Sequence, residues 1–303
     1  LLDIEDAIEL RDSGFTQPLC LLEGFFEADE IALIASHNLE PVIHAHWQLD
    51  MLETVQHDLK LSVWIKIDTG MNRLGFAAAE FKLVMSRLSS MKSVNQIAVM
   101  SHLANADLPD NLSTIEQLQN FISTTDAMTL PRSLANSAAI LANPDCQLDW
   151  VRPGIMLYGS SPFEEISAAD LDLKAVMSLQ SKIISIKQCS KGDSIGYGST
   201  WACPEDMPVG VVACGYGDGY PRHAPAGTPI MVAGQTAQLI GRVSMDMITV
   251  DLRGISNASV GSKVELWGRE VPVDTVAKMS GTISYELLCG ITARVKRQDV
   301  TNG

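Results

Sequence analysis

The chain has 303 residues, 46% of them hydrophobic and 19% charged, which is enough apolar material for a large buried core and excludes a disordered chain. Lysine and arginine number 22 against 36 acidic residues, a net charge of −14, which argues against nucleic acid or an anionic membrane as a partner. No apolar run reaches the length of a membrane span, and Cys20, Cys146, Cys189, Cys203, Cys214 and Cys289 show no C-x-x-C spacing, as expected of reduced cysteines in a cytoplasmic protein.

In chain order, residues 3–13 read as an amphipathic helix. The run has no Met or basic leader and reads as a helix entered midway, as if the chain began inside a larger protein. PLCLLEG (18–24) has the continuous apolar character of a buried parallel strand, and EADEIALIASHN (27–38) of a helix. The alternation continues with strand PVIHAH (41–46), helix 50–60, strand LSVWIKID (61–68), helix 78–90 and strand NQIAVMSHL (95–103). A loop (101–110), helix 114–128, strand RSLAN (132–136), helix opening SAAILAN (137–143) and strand WVRPGIMLYG (150–159) complete the series. Strands alternating with helices predict right-handed βαβ units and a parallel sheet.

Six such runs, at roughly 30 residues per βα unit, predict a TIM-type (β/α)8 barrel lacking about its first two units. Near residue 173 the pattern changes. Runs at 176–189, 207–217, 228–234, 237–252 and 263–268 are strand-like and separated by Gly, Pro and Asp turns, with one helix at 274–281. The expected division is a barrel over 1–172 and a mostly antiparallel β domain over 173–303.

Active sites of such barrels lie at the C-terminal ends of the strands. That places Lys66, Asp68 and Arg73 (in WIKIDTGMNRLGF), His102, Asn136, Ser137, Arg152 and Gly154 as candidates. The bland readings are strand-end salt bridges, a structural histidine and plain helix capping. His44 and His46 would share a strand face, but no further ligand of suitable spacing is near, so no metal is expected. His37, His57 and His223 read as loop or surface residues. In the second half, GYGST (196–200), GYGDGYPR (215–222) and SMDM (244–247) are Gly-rich or turn-like without being nucleotide loops.

Taken together, KIDTGMNRLG, SHLANAD, ANSAAI, VRPGIMLYG, SIGYGSTW, GYGDGYPR, GRVSMDM and GTISYELLCGI resemble the alanine racemases, in the same order along nearly the whole chain. The resemblance implies a pyridoxal-phosphate-dependent amino-acid racemase (an isomerase) acting on alanine as a homodimer with shared active sites. It implies that Arg152 meets the pyridine nitrogen, that His102 orients Arg152, and that Arg73 lies near the cofactor's phenolic oxygen and the substrate carboxylate. Ser137, Gly154, Ile155 and Tyr285 would hold the phosphate, with Asn136 beside it. Tyr197 would be the second catalytic base, supplied across the dimer. Tyr216 and Met245 would line the substrate entrance or the carboxylate site, Asp246 would support the entrance region, and Lys66 matches a lysine that some members carbamylate.

One feature of the family is not matched. Its cofactor-binding (Schiff-base) lysine stands in a V-K-A-N-A-Y-G-H-G-like motif, and none of the eleven lysines here has that setting. The expectation is a racemase chain short of its N-terminal part and inactive alone. The alternatives are a related barrel decarboxylase or broad-specificity racemase, and a non-catalytic cofactor-binding remnant.

Overall fold

The computed structural model describes residues 1–55 and 59–300; His57 and residues 56–58 of the expected helix 50–60 lie outside them. The chain divides into two compact units, Leu1–Gly154 and Ile155–Gly303. The change of pattern read from the sequence lies at 172/173.

In the first unit, helices α1 (Ile4–Asp12), α2 (Glu30–Ser36), α3 (His46–Glu53), α4 (Phe81–Ser90), α5 (Ser113–Thr125) and α6 (Ser137–Ala142) alternate with strands. The strands are β1 (Leu19–Leu21), β2 (Leu39–Ile43), β3 (Leu61–Asp68), β4 (Phe76–Ala77), β5 (Val94–Met100) and β6 (Arg132–Ser133). They form an open parallel sheet in the order β1-β2-β3-β5-β6, with the short β4 pairing with β3. Parallel strands need crossovers, and the helices supply them. Val63, Ile65 and Ile67 of β3 are buried. Each such side chain contributes roughly 1.5–3 kcal/mol when fully buried.

Three expectations for this unit are corrected. The strand at 41–46 ends at Ile43, because Ala45 caps α3 and His46 begins it. His44 and His46 therefore do not share a strand face: His44 Nε2 meets the Glu23 carbonyl at 3.1 Å, and His46 pairs with Glu80 at 2.8 Å. Residues 150–159 are not a strand. Trp150 makes one parallel bridge to Ser133, Pro153 has no N–H to continue a ladder, and Ile155–Tyr158 turns into a 3-10 helix.

The second unit is a closed antiparallel barrel rather than an open sheet. β7 (Leu179–Cys189) is followed by the hairpin β8 (Ser194–Ile195) and β9 (Trp201–Ala202), then β10 (Met207–Val212), β11 (Pro229–Val232), β12 (Gln235–Ile240), β13 (Ile248–Asp251) and β14 (Lys263–Trp267). The barrel order is β10-β13-β12-β11-β14-β7, closed by β7 pairing with β10. Closure removes the sheet edges, and the interior is filled by Ile183, Val212, Ile230, Val232, Leu239, Val250, Val264 and Leu266. Tyr220 stacks on Trp267 at 5.8 Å within the same core. The run 237–252 is two strands, interrupted after Gly241 (φ 67°), and 207–217 leaves the sheet at Val212. Helices α7 (Val273–Met279) and α8 (Ser284–Cys289) end the unit; α8 was not expected.

Candidate active site

Cross-strand register places the first unit's polar residues together. Lys66 lies opposite Met100, Met100 opposite Ser133, and Ser133 bridges Trp150. The residues just past that row, Ser101, His102, Leu134 and Arg152, therefore emerge side by side at the C-terminal ends of the strands.

Arg152 is the centre of the cluster. Its Nη1 donates to Ser133 Oγ at 2.5 Å, and its Nη2 to the carbonyls of Ser101 (2.5 Å) and Leu134 (3.3 Å) and to His102 Nδ1 (3.4 Å). The guanidinium has no carboxylate partner among the described residues. Burial lowers its pKa to about 10, so it remains a cation at neutral pH. Neutral acceptors thus hold a fixed positive charge without cancelling it.

That charge acts on its neighbours. Burial, then the charges of Arg152, Lys66 and Arg73, lower the pKa of His102 to about 4. His102 is therefore neutral, and its Nδ1 accepts from Arg152. Lys66 is 9% exposed, and burial, Arg73 and Arg152 lower its pKa from the usual lysine value. Lys66, Asp68, Arg73, Ser101 and His102 line one small cleft. The loop that carries Arg73 is tightly folded: Asp68 Oδ1 accepts from Gly70 and Asn72 N–H, and a Cβ on Gly75 (φ 123°) would lie 2.7 Å from the Asp68 nitrogen.

Folding stability should carry the mark of His102. The unfolded histidine titrates near 6.5 and the folded one near 4. Between those values only the unfolded chain takes up the proton, so stability is lost as pH falls from 6.5 to 4. Replacing His102→Gln is expected to reduce the loss of urea midpoint between about pH 7 and about pH 5. Equal losses in both proteins would show that His102 is not held neutral.

Asn136 is the cap of α6, accepting from the Ala139 N–H at 3.1 Å. Ser137 is buried, and its Oγ accepts from the Gly154 N–H at 2.8 Å. The capping explanation therefore accounts for Asn136 and leaves Ser137 and Gly154 as a separate pair.

The remaining candidates belong to the second unit. Tyr197 is 71% exposed in a 3-10 turn at the tip of the β8–β9 hairpin, between Gly196 and Gly198, both at φ 74°. It lines a cleft with Arg242, Ser244, Met247 and Thr249. Tyr216 and Met245 are exposed on adjoining loops: Tyr216 N–H donates to the Ser244 carbonyl (3.0 Å) and Gly217 N–H to that of Met245 (2.8 Å). Ile155 is buried at the start of the segment that reaches Ser160. Ser160 Oγ contacts Ser284 Oγ (2.5 Å) and bonds Asp274, which ties that segment to α8 next to Tyr285.

Sequence reasoning missed Ser101, Ser133 and Gln117. Gln117 is buried and donates to the His102 carbonyl (3.0 Å) and Thr69 Oγ1 (3.3 Å), while accepting from Ala104 N–H. Its one signal is an amide on the apolar side of α5, which periodicity does not distinguish from a surface residue.

Among the described residues no group of three His, Cys, Asp or Glu side chains is arranged to hold a metal, and no helix is long and apolar enough to cross a membrane. Family models match at residues 1–162 (alanine racemase, N-terminal domain) and 176–299 (alanine racemase, C-terminal domain). The chain is 49% identical over 298 residues to the alanine racemase of Nitrosospira multiformis, covering 98% of this chain and 84% of that protein. It is 47% identical to that of Coxiella burnetii, with 97% and 82% covered. Among solved structures, the biosynthetic alanine racemase of Pseudomonas aeruginosa superposes at a TM-score of 0.94, with 46% identity and coverage of 98% and 83%. The alanine racemase of Acinetobacter baumannii does so at 0.90, with 39% identity and coverage of 97% and 83%.

Proposed function

This chain belongs to the alanine racemase family, whose members depend on pyridoxal phosphate, and we propose that it interconverts L- and D-alanine by a two-base reaction. The observation that carries the reading is the half-buried Arg152 guanidinium, held by neutral groups and aligned by a neutral His102.

The residues fit the cofactor. An arginine donates hydrogen bonds and does not readily give up its proton, so it suits a basic ring nitrogen that stays unprotonated. Beside Ser137, a Cβ on Gly154 would meet nothing nearer than the serine Oγ at 3.7 Å, which leaves room for a phosphate. Ser137, Gly154, Ile155 and Tyr285 are assigned to that phosphate, with Asn136 holding α6. Bound pyridoxal phosphate supplies an electron sink that makes the alanine Cα proton acidic.

The chain's own groups do the rest. Arg73 binds the alanine carboxylate. Lys66, low in pKa and close to two arginine charges, is suited to a carbamate that would brace Arg73. Tyr197 removes or returns the Cα proton on one face; its exposure on a hairpin tip suits delivery to the partner of a homodimer. Tyr216 and Met245, supported by Asp246, border the substrate and favour a small side chain.

The second base is a lysine in this family, and no lysine within residues 1–303 has the family's setting. We therefore assign only the tyrosine side of the reaction to residues 1–303, which alone should not racemise alanine. Mixing them with pyridoxal phosphate, reducing with borohydride and mapping by mass spectrometry should give no stoichiometrically labelled lysine. One lysine labelled at a full equivalent, together with activity, would make that residue the base and overturn this assignment.

A further inference from the structure

The loops bearing Tyr216 and Met245 are joined by a side chain that the reaction does not use. Arg294 Nε donates to Asp218 Oδ1 at 2.8 Å, its Nη1 to Asp246 Oδ1 at 2.8 Å and its Nη2 to the Met245 carbonyl at 3.2 Å. One planar group thus grips both loops: Asp218 lies two residues after Tyr216, and Asp246 directly follows Met245. Asp218 Oδ2 also accepts from Gly215 N–H, and Thr292 Oγ1 donates to the Gly217 carbonyl, each at 2.8 Å.

The glycines of GYGDGY follow from this arrangement. A Cβ on Gly217 would lie 2.7 Å from the Arg294 guanidinium, and one on Gly215 would lie 2.2 Å from the Ser244 carbonyl. The Gly-rich run is therefore shaped to accept the arginine on one side and the Met245 loop on the other. Arg294 and Asp246 are each partly open to solvent, so either ion pair alone adds little stability. What the fork supplies is geometry, since three acceptors fix the plane of the guanidinium.

We infer that Arg294 is a positioning residue that sets the spacing between Tyr216 and Met245, and so limits the size of the amino-acid side chain accepted. This rests on the reading that those two residues border the substrate. With the clamp released, the two loops separate more easily and a longer side chain fits.

The test compares kcat/KM for 2-aminobutyrate, one methylene longer than alanine, with kcat/KM for alanine. It uses residues 1–303 joined to a family-type lysine-bearing segment and loaded with pyridoxal phosphate. A ratio does not depend on the fraction of folded enzyme. Arg294→Met is expected to raise the ratio by about tenfold, the scale on which one methylene is discriminated. Arg294→Lys should raise it similarly while keeping the charge, because one ammonium cannot span the three acceptors. Asp246→Ala, which cuts one arm, should raise it less and serves if the arginine variants fold poorly. Arg253→Met removes comparable pairs to Asp251 and Glu205 elsewhere and should leave the ratio alone. Tyr216→Ala tests the underlying reading: an unchanged ratio there would refute the placement of Tyr216. A raised ratio in Tyr216→Ala with unchanged ratios in the Arg294 and Asp246 variants would overturn the role of Arg294.

Discussion

Replacing Tyr197 by Phe is expected to lower racemisation about 10²- to 10⁴-fold in both directions, the range for loss of a general acid–base group. The measurement uses residues 1–303 joined to a family-type lysine-bearing segment. Each turnover takes a proton from one face and returns one to the other, so both directions need the phenol. Phe keeps the ring and removes only the O–H. Because Tyr197 is 71% exposed at the hairpin tip, the substitution removes little packing, and stability should stay within about 0.5 kcal/mol. Exchange of the Cα proton with deuterated solvent should become one-sided: one enantiomer still exchanges at the lysine face and the other hardly does. Equal, modest losses for L- and D-alanine would make Tyr197 a packing residue.

Arg152→Glu is expected to lower racemisation by about 10²-fold or more, the scale of losing one fixed electrostatic donor. Pyruvate formation by transamination should rise relative to racemisation. A carboxyl group can share a proton with the ring nitrogen, which an arginine does not, and a protonated ring is the stronger sink. The substitution also costs structure, because the carbonyls of Ser101 and Leu134 lose their donor. The ratio of the two products is therefore the quantity to read, since misfolded protein contributes to neither. An unchanged ratio would place Arg152 away from the ring nitrogen.

Most of the parallel unit was legible because its strands are continuous apolar runs between helix signals. Leu61–Asp68 has the bounds expected for it. Residues 150–159 misled because they are apolar yet contain Pro153 and Gly154, and because the Arg152 side chain turns to the strand ends rather than to solvent. The pairs Ser194–Ile195 and Trp201–Ala202 are too short for a period-two signal. Closure of the barrel depends on β7 meeting both β10 and β14, a pairing over long sequence separation that local patterning does not encode. In the site, strand-end position pointed to Lys66, His102 and Arg152. The carbonyl of Ser101 and the hydroxyl of Ser133 hold Arg152, and neither has a signal in composition. Arg294 was not singled out from the sequence, and its partners lie 48 and 76 positions away.

The most direct test is chiral analysis of L-alanine incubated with pyridoxal phosphate and residues 1–303 joined to a family-type lysine-bearing segment. Residues 1–303 alone are run beside it, and carbon dioxide is measured in both. The joined chain should convert L-alanine to an equal mixture of enantiomers without releasing carbon dioxide, and the unjoined chain should convert none. Carbon dioxide release with no D-alanine from the joined chain would contradict the assignment as a racemase.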